Sequence, residues 1–401
     1  MKIRPVILCG GAGTRLWEDK KHHQPKQFIN FGGWSLMQKT LDRIKSPFFD
    51  YPIISTNDKY LNQVKKFLKK SKINKYKIVL EPVKKNTAPA ILVSALIKDI
   101  SRKQPLIYFT ADHLIEKTNI FYNSIKKSSQ NLNDKNIFIF GIKPTNPSSE
   151  YGYFLTKKMK KNINKVVKFI EKPNKSKAKL IIKKGGYWNS GIFFLRKDSI
   201  INNFKKYHPK ILKSCLLSIN KSKYRNNTYY LNKSAFNKCA EKSFDYAILE
   251  KTKDINAIKL DLPWSDLGNW KEISKIFVKN KAKYFNKKNV FYRPWGSYTN
   301  LFKGKNFLVK ELKVKSKGVL SLQKHHHRSE HWLITQGRPI ITLNKKKILK
   351  YKNESIYIPR GAIHRIENPF KKTVKILEIQ KGSILKETDI VRYQDIYGRA
   401  N

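Results

Sequence analysis

The 401-residue chain is poor in acid, in cysteine and in long apolar runs. Against 85 Lys and Arg it carries only 28 Asp and Glu, for a formal net charge of +57. Cys9, Cys215 and Cys239 are an odd set with no Cys-x-x-Cys spacing. That excludes a disulfide scaffold and a zinc ribbon and predicts free thiols in a reducing, cytoplasmic setting. The longest apolar run, residues 88–97, is about half of what a helix needs to span a bilayer, so no membrane segment is expected. Residues 5–9 run straight into Gly10 and Gly11 without a signal-peptide core or cleavage site, and read as a first strand.

The excess of base does not by itself mark a nucleic-acid binder. Only 13 of the 85 cations are Arg, and the lysines are spread evenly, as solvated faces are, instead of forming a patch. Neither a nucleic-acid nor a membrane partner is expected, although the field helps to attract small anions at short range. With 40% hydrophobic and 12% aromatic residues, the chain can build real cores, and its length favours two or three domains.

Short β-rich runs at 3–9, 52–56, 77–80, 106–110 and 137–142 alternate with helical patterns at 35–44, 58–70 and 87–100, the mark of βαβ units and a mostly parallel sheet. After about residue 300 the rhythm changes to closely spaced strands with turns near Gly318, Gly337 and Gly361, as in an antiparallel barrel or jelly roll. A Lys/Asn-rich stretch separates the two regimes. The expected architecture is an α/β domain over 1–280, a linker over 281–290 and an all-β domain over 291–401.

The first strand leads into Leu8, Cys9, Gly10, Gly11, Ala12, Gly13, Thr14 and Arg15. Glycines after a strand let backbone N–H groups approach phosphate or base closely; the spacing is neither a Walker A loop nor a dinucleotide fingerprint. Arg15 adds a forked phosphate donor, and Lys26 within Pro25-Lys26-Gln27 adds a second cation. Further motifs follow in order: Glu81 through Ala90 (EPVKKNTAPA), Asp112-His113, Tyr151-Gly152-Tyr153, Glu171-Lys172-Pro173, Trp188-Asn189-Ser190-Gly191, Asp245-Tyr246-Ala247 and Trp264-Ser265-Asp266.

This ordered set resembles the bifunctional mannose-1-phosphate guanylyltransferase/mannose-6-phosphate isomerase family. The resemblance implies a Rossmann-like nucleotidyltransferase domain in which mannose 1-phosphate attacks the α-phosphorus of GTP. It implies Mg²⁺ held by Asp112 and Asp266, the triphosphate bound by Arg15 and Lys26, and the sugar phosphate bound by Lys172. Glu171, Asn189 and Gly152 would contact mannose, and Leu8, Gly10, Gly11, Ala12, Gly13 and Thr14 would line the nucleotide.

In the last third, Gln323, His325, His327 and His331 share a parity, so on one strand they would point into one interior; His364 would join them from a distant strand. Imidazoles favour Zn²⁺, Co²⁺ or a similar divalent ion over Mg²⁺. The pattern is similar to the two cupin motifs, including Pro359-x-Gly361-x-x-His364-x-x-x-Asn368. Ligands are expected among His325, His327, His331 and His364, with Glu330 or Gln323 as alternatives and a bulge able to exchange faces. The resemblance implies an aldose–ketose isomerase in which Arg328 or Arg365 could hold phosphate. A monofunctional transferase with a regulatory or dimerising cupin is the alternative, and a homo-oligomer is compatible with either.

Departures from the family pattern are Glu18, Lys20 and Glu150, and a connection of about 20 residues between Trp270 and Phe291 where relatives carry a longer one.

Overall fold

The computed structural model describes residues 2–11, 25–31, 34–159, 163–268, 272–273, 290–304 and 306–397. Ala12, Gly13, Thr14, Arg15, Glu18 and Lys20 lie outside the described residues, as does nearly all of 281–290. The chain divides into one unit of residues 1–13, 24–28 and 35–266 and a second of residues 14–23, 29–34 and 267–401.

The first unit is built on an eleven-stranded sheet. From edge to edge run Lys223–Arg225, Thr228–Tyr230, Lys77–Glu81, Ile53–Asn57, Arg4–Leu8, Pro105–Thr110, Tyr187–Arg196, Ile137–Ile142, Ile255–Leu260, Asn164–Ile170 and Tyr153–Lys158. The expected parallel order holds from Thr228–Tyr230 to Pro105–Thr110. Beyond it the expectation of a mostly parallel sheet needs correction. Tyr187–Arg196 runs antiparallel to both neighbours, and Tyr153–Lys158 and Asn164–Ile170 form an antiparallel pair. The physical reason is connection length: the few residues between these two strands suffice for a hairpin, whereas a parallel return needs a crossover.

Side-chain alternation places two cores on the two sheet faces. Val6, Ile53, Val79 and Tyr108 face a layer that includes Ile91, Leu92, Phe204 and Phe236. Ile7, Ile54, Ile78 and Phe109 face Met37, Leu41, Val64 and Phe121 on the other side. Burial on both faces explains why these strands read as continuous apolar runs. The flanking helices start where short polar side chains cap them: Ser35 accepts from the Gln38 amide at 3.1 Å ahead of Leu36–Arg43, and Asn174 accepts from the Lys177 amide at 2.9 Å ahead of Lys175–Lys183. All three cysteines are free and buried, with the sulfurs of Cys215 and Cys239 3.5 Å apart.

The second unit packs two antiparallel sheets face to face. One holds Val290–Arg293, Gly296–Lys303, Phe307–Val314, Val374–Gly382, Arg328–Gln336 and Ser355–Ile358; the other holds Lys346–Leu349, Ile340–Leu343, His364–Glu367, Leu322–His325 and Ile390–Gln394. Leu312, Trp332, Ile334 and Ile376 from the first meet Ile341 and Ile366 from the second in a shared core, as a jelly roll requires. No helix among the described residues is long and apolar enough to cross a membrane.

Gly296 holds φ +147°, and an added Cβ would fall on the carbonyl of Lys313 in the neighbouring strand. Gly296→Ala is therefore expected to destabilise the second unit by about 1–3 kcal/mol, read as a lowered melting midpoint; an unchanged midpoint would contradict this packing.

Candidate functional site

In the first unit, parallel strands deliver their carboxyl ends to one edge of the sheet, where α/β folds place ligands. Arg4–Leu8 leads to Gly10 and Gly11, Lys77–Glu81 ends on Glu81, and Pro105–Thr110 leads to Asp112. A cavity between them is lined by Leu8, Gly10, Gly11, Glu81, Thr87 and Asp112 among others. At Gly11 a Cβ would meet nothing within 4 Å, so the backbone there is open to a ligand. The helix Thr87–Ala95 begins at this cavity, capped by Asn86, which holds φ +66° and accepts from the Thr87 amide at 2.9 Å.

Lys26 is 2% exposed. Its Nζ lies 3.0 Å from the Asp112 carboxylate and donates to the backbone carbonyl of Asp266. One ammonium thus joins two residues that are 154 positions apart in the chain. The Asp266 carboxylate accepts from the Tyr151 hydroxyl at 2.8 Å, and Tyr151, Trp188 and Trp264 pack ring against ring beside it.

The expected sugar-contacting residues also converge. Asn189 donates its backbone N–H to the Gly152 carbonyl at 2.8 Å, and its side chain donates to Asp245 at 2.8 Å. A Cβ on Gly152 would sit 2.5 Å from the Glu171 carboxylate, so only glycine leaves room there. Lys172, at φ +46°, turns its ammonium to 3.1 Å from Glu171. Lost solvation and the neighbouring Glu171 push the Asp245 carboxyl up to about 7.

Glu81, the first residue of the EPVKKNTAPA motif, takes its role from the structure. It is 7% exposed, accepts from the Ser55 hydroxyl at 2.7 Å, and is pushed up to about 7 by burial. A buried acid closing the apolar run Ile78-Val79-Leu80 is the signal the sequence offers.

The second unit brings His325, Glu330 and His364 together, with one ligand atom of each within 4.8 Å of the others. His325 Nε2 is 3.2 Å and His364 Nε2 3.7 Å from the Glu330 carboxylate. The Nδ1 of each ring faces a carbonyl, Asp389 at 3.3 Å and Ala362 at 2.9 Å. That pairing gives Nδ1 a carbonyl to donate to and leaves each Nε2 facing inward, free to bind a metal or, when it carries a proton, to pair with Glu330. His364 Nε2 is buried without a hydrogen bond among the described residues. Burial works against ionised Glu330, but His325, His364 and Arg328 outweigh it and hold the carboxyl well below its usual range. Two imidazoles and a carboxylate suit a divalent transition ion.

The expectation that His327 and His331 belong to this group is corrected. Leu322–His325 ends before a turn at His326 and His327, and a new strand begins at Arg328, so parity does not carry across. His327 instead places Nδ1 2.8 Å from Asp389, with half its side chain exposed. His331 lies one residue from Glu330 in the same strand and therefore faces the opposite side. Gln323 stands directly across from His364 in the ladder.

Comparison with known proteins finds a family for each part of the chain. Residues 4–283 match the family described as "Nucleotidyl transferase". The chain belongs to the nucleotidyl transferase family. Residues 279–395 match "Mannose-6-phosphate isomerase C-terminal", so the bifunctional family indicated by the ordered motifs is the one found. A Klebsiella pneumoniae protein named mannose-1-phosphate guanylyltransferase is 32% identical over 470 aligned positions, covering 99% of this chain and 100% of the relative. The alginate biosynthesis protein AlgA of Pseudomonas aeruginosa is 30% identical, covering 98% and 97%. These alignments exceed 401 positions, so the relatives carry segments that this nucleotidyl transferase lacks. Among solved structures, mannose-6-phosphate isomerase of Helicobacter pylori is 28% identical with a TM-score of 0.57, covering 66% of this chain and all of that one. A Thermus thermophilus protein titled mannose-1-phosphate geranyltransferase, 23% identical with a TM-score of 0.59, covers 69% of this chain and 79% of its own and shares the fold.

Because folding raises the Glu81 pKa from its ordinary 4.5 to about 7, the folded chain binds a proton more tightly than the unfolded one. The neutral carboxyl is fully tolerated below about 4.5, and stability is lost as pH rises through 7. Glu81→Gln removes that loss: its melting midpoint relative to the parent chain should rise between pH 5 and pH 8, by a stability equivalent of up to about 3 kcal/mol. An identical offset at both pH values would refute a buried, proton-binding Glu81.

Proposed function

We propose that the chain makes GDP-mannose and pyrophosphate from GTP and mannose 1-phosphate, and interconverts mannose 6-phosphate and fructose 6-phosphate in its second unit. The transferase reading is carried by one observation: Lys26 holds Asp112 and the Asp266 backbone together at the mouth of the cavity lined by Gly10, Gly11 and Glu81. We assign the transferase to residues 1–280, the linker to 281–290 and the cupin isomerase to 291–401. The free cysteines and the use of GTP fit a cytoplasmic enzyme acting on small molecules.

Both reactants are polyanions, so the chemistry depends on neutralising charge and holding the groups in line. Asp112 and Asp266 would hold Mg²⁺, which when bound offsets charge on the nucleotide phosphates. Arg15 and Lys26 bind the triphosphate, while Lys172 holds the sugar phosphate. Gly152, Glu171 and Asn189 enclose the hexose, with Asp245 fixing the Asn189 amide. An oxygen of mannose 1-phosphate bonds to the α-phosphorus as the bond to the β-phosphate oxygen breaks. Glu81 can accept the N1–H and N2–H of guanine, a donor pair that uracil and thymine lack.

In the second unit, His325, Glu330 and His364 would hold Zn²⁺, Co²⁺ or a similar ion, with Gln323 beside them. Bound there, the ion supplies Lewis-acid stabilisation of the oxygen that gains charge during isomerisation. Arg328, 3.3 Å from Glu330, adds a second cation.

Two measurements test this reading. Asp112→Asn should lower Mg²⁺-dependent pyrophosphate release from GTP with mannose 1-phosphate by roughly a hundredfold or more; an unchanged rate refutes the assignment of Asp112. His364→Ala should lower both the content of Zn²⁺ or Co²⁺ and the interconversion of mannose 6-phosphate and fructose 6-phosphate. If neither the parent chain nor the variant isomerises with any divalent ion, the second unit is a non-catalytic barrel.

A further inference from the structure

The wall of the second unit that carries Glu330 also holds a buried carboxylate that the metal group does not use. In antiparallel ladders, residues directly opposite one another share a face. Across neighbouring strands, Lys310 stands opposite Glu378 and Glu378 opposite Trp332; one step along, Gln380 stands opposite Glu330. Trp332 donates its indole N–H to Glu330 at 3.0 Å and packs edge-on against the His364 ring at 5.4 Å between centroids. Gln380 donates to Glu330 at 3.0 Å. Glu378 is therefore on the interior face, one side chain away from the candidate ligands on two sides.

Nothing structural requires a charge there. Glu378 is 5% exposed, and the cation paired with it, Lys310, stands 3.7 Å away, beyond a direct hydrogen bond. A carboxylate buried with so loose a partner costs stability that an apolar side chain at the same place would not. The other acids of this unit's site have evident work. Glu330 faces both imidazoles, Asp389 accepts from the His326 and His327 amides, and Glu387 pairs with Arg293.

We propose that Glu378 is the group that carries the proton between C1 and C2 during isomerisation, with Lys310 as its positioning partner. The inference rests on the isomerase reading above. In the open-chain aldose, the Glu378 carboxylate takes the proton from C2; the freed C–H pair becomes the C1–C2 double bond, and the carbonyl pair moves onto O1. The O2 hydroxyl proton passes to O1, O2 becomes the carbonyl oxygen, and the protonated Glu378 returns its proton to C1. Atoms and electrons balance, no oxidant or reductant is needed, and the carboxylate is regenerated. Lys310, opposite Glu378 and over the Tyr298 ring at 4.9 Å, sets a positive charge beside the carboxylate that the strand register places on the interior face.

The test uses the full-length chain loaded with Zn²⁺ or Co²⁺ and compares the parent with Glu378→Gln, which keeps the shape, and Glu378→Asp, which keeps the charge. Three quantities are read: the rate from mannose 6-phosphate to fructose 6-phosphate, the wash-in of deuterium from heavy water at the exchanging carbon, and metal content. Glu378→Gln should lower the rate and the wash-in together by 10²–10⁴-fold, with metal content and pyrophosphate release in the transferase assay retained. Glu378→Asp should recover part of both. The proposal is overturned if Glu378→Gln isomerises within about tenfold of the parent, or if it loses metal in step with activity, which would make Glu378 a structural support of the metal group. If the parent chain itself neither isomerises nor exchanges deuterium, the isomerase reading fails and this assignment with it, an outcome distinct from a defect confined to the variant.

Discussion

Lys26 carries its charge at 2% exposure, and an ammonium taken out of water persists only where oxygen surrounds it. That requirement ties the Asp112 carboxylate to the Asp266 carbonyl, and so ties the end of the Pro105–Thr110 strand to a residue that follows the last strands of the unit. The sheet supplies the backbone of this arrangement. Parallel strands ending together put Gly10, Glu81 and Asp112 on one edge, while the antiparallel half brings Gly152, Glu171 and Asn189 near one another through the ladder between Tyr153–Lys158, Asn164–Ile170 and Tyr187–Arg196. The change from parallel to antiparallel pairing divides the work: the parallel half forms the cavity assigned to the nucleotide, and the antiparallel half forms the group assigned to the hexose.

The second unit solves a different problem with the same rule of alternation. A metal group in a double sheet needs side chains from both layers to meet across an otherwise apolar core. Here His325 and His364 come from one sheet and Glu330 from the other. Trp332 and Ile334, continuing the face of Glu330, then pass directly into the apolar core. Polar and apolar ends of one interior are thus two stretches of the same strand, and the register that seats the core also seats the ligands.

Much of this was legible from residues alone. The five expected strands fall within a residue of their sequence patterns, because strands buried on both faces give dense apolar runs, and the helices at Leu36 and Thr87 start where Ser35 and Asn86 cap them, whereas the uncapped helix at Leu61 starts three residues later than its pattern. The ordered motifs named the right family, and Gly10, Gly11, Lys26, Asp112, Gly152, Glu171, Lys172, Asn189 and Asp266 from those motifs lie in the two groups of the first unit. What was not legible depends on backbone detail. The parity argument that linked His325 to His327 and His331 assumes an unbroken strand, and the turn at His326 and His327 resets it, so Glu330 and not His331 faces inward. The mixed pairing of the sheet likewise follows from connections whose path a one-dimensional pattern does not carry. Glu81, Asp245 and Tyr151 were visible within motifs, but their partners lie far along the chain.

The scarcity of acid gives these residues added weight. In a chain with three basic residues for every acidic one, carboxylates on the surface find cations easily and carry little information. A carboxylate withdrawn from that surface forgoes both solvent and abundant lysine partners. Among the described residues, the buried acids are Glu81, Asp198, Asp266, Glu311, Glu330, Glu378 and Asp389. Asp198 is explained by Arg196, which pairs with it at the start of a helix. Of the remaining six, Glu81 and Asp266 stand at the nucleotide cavity or its mouth, and Glu330, Glu378 and Asp389 at or beside the imidazole pair; Glu311, on the other face of its strand, stands apart. Burial of an acid in a basic chain thus points to the two candidate sites independently of any motif, and it does so in both units by the same physical cost.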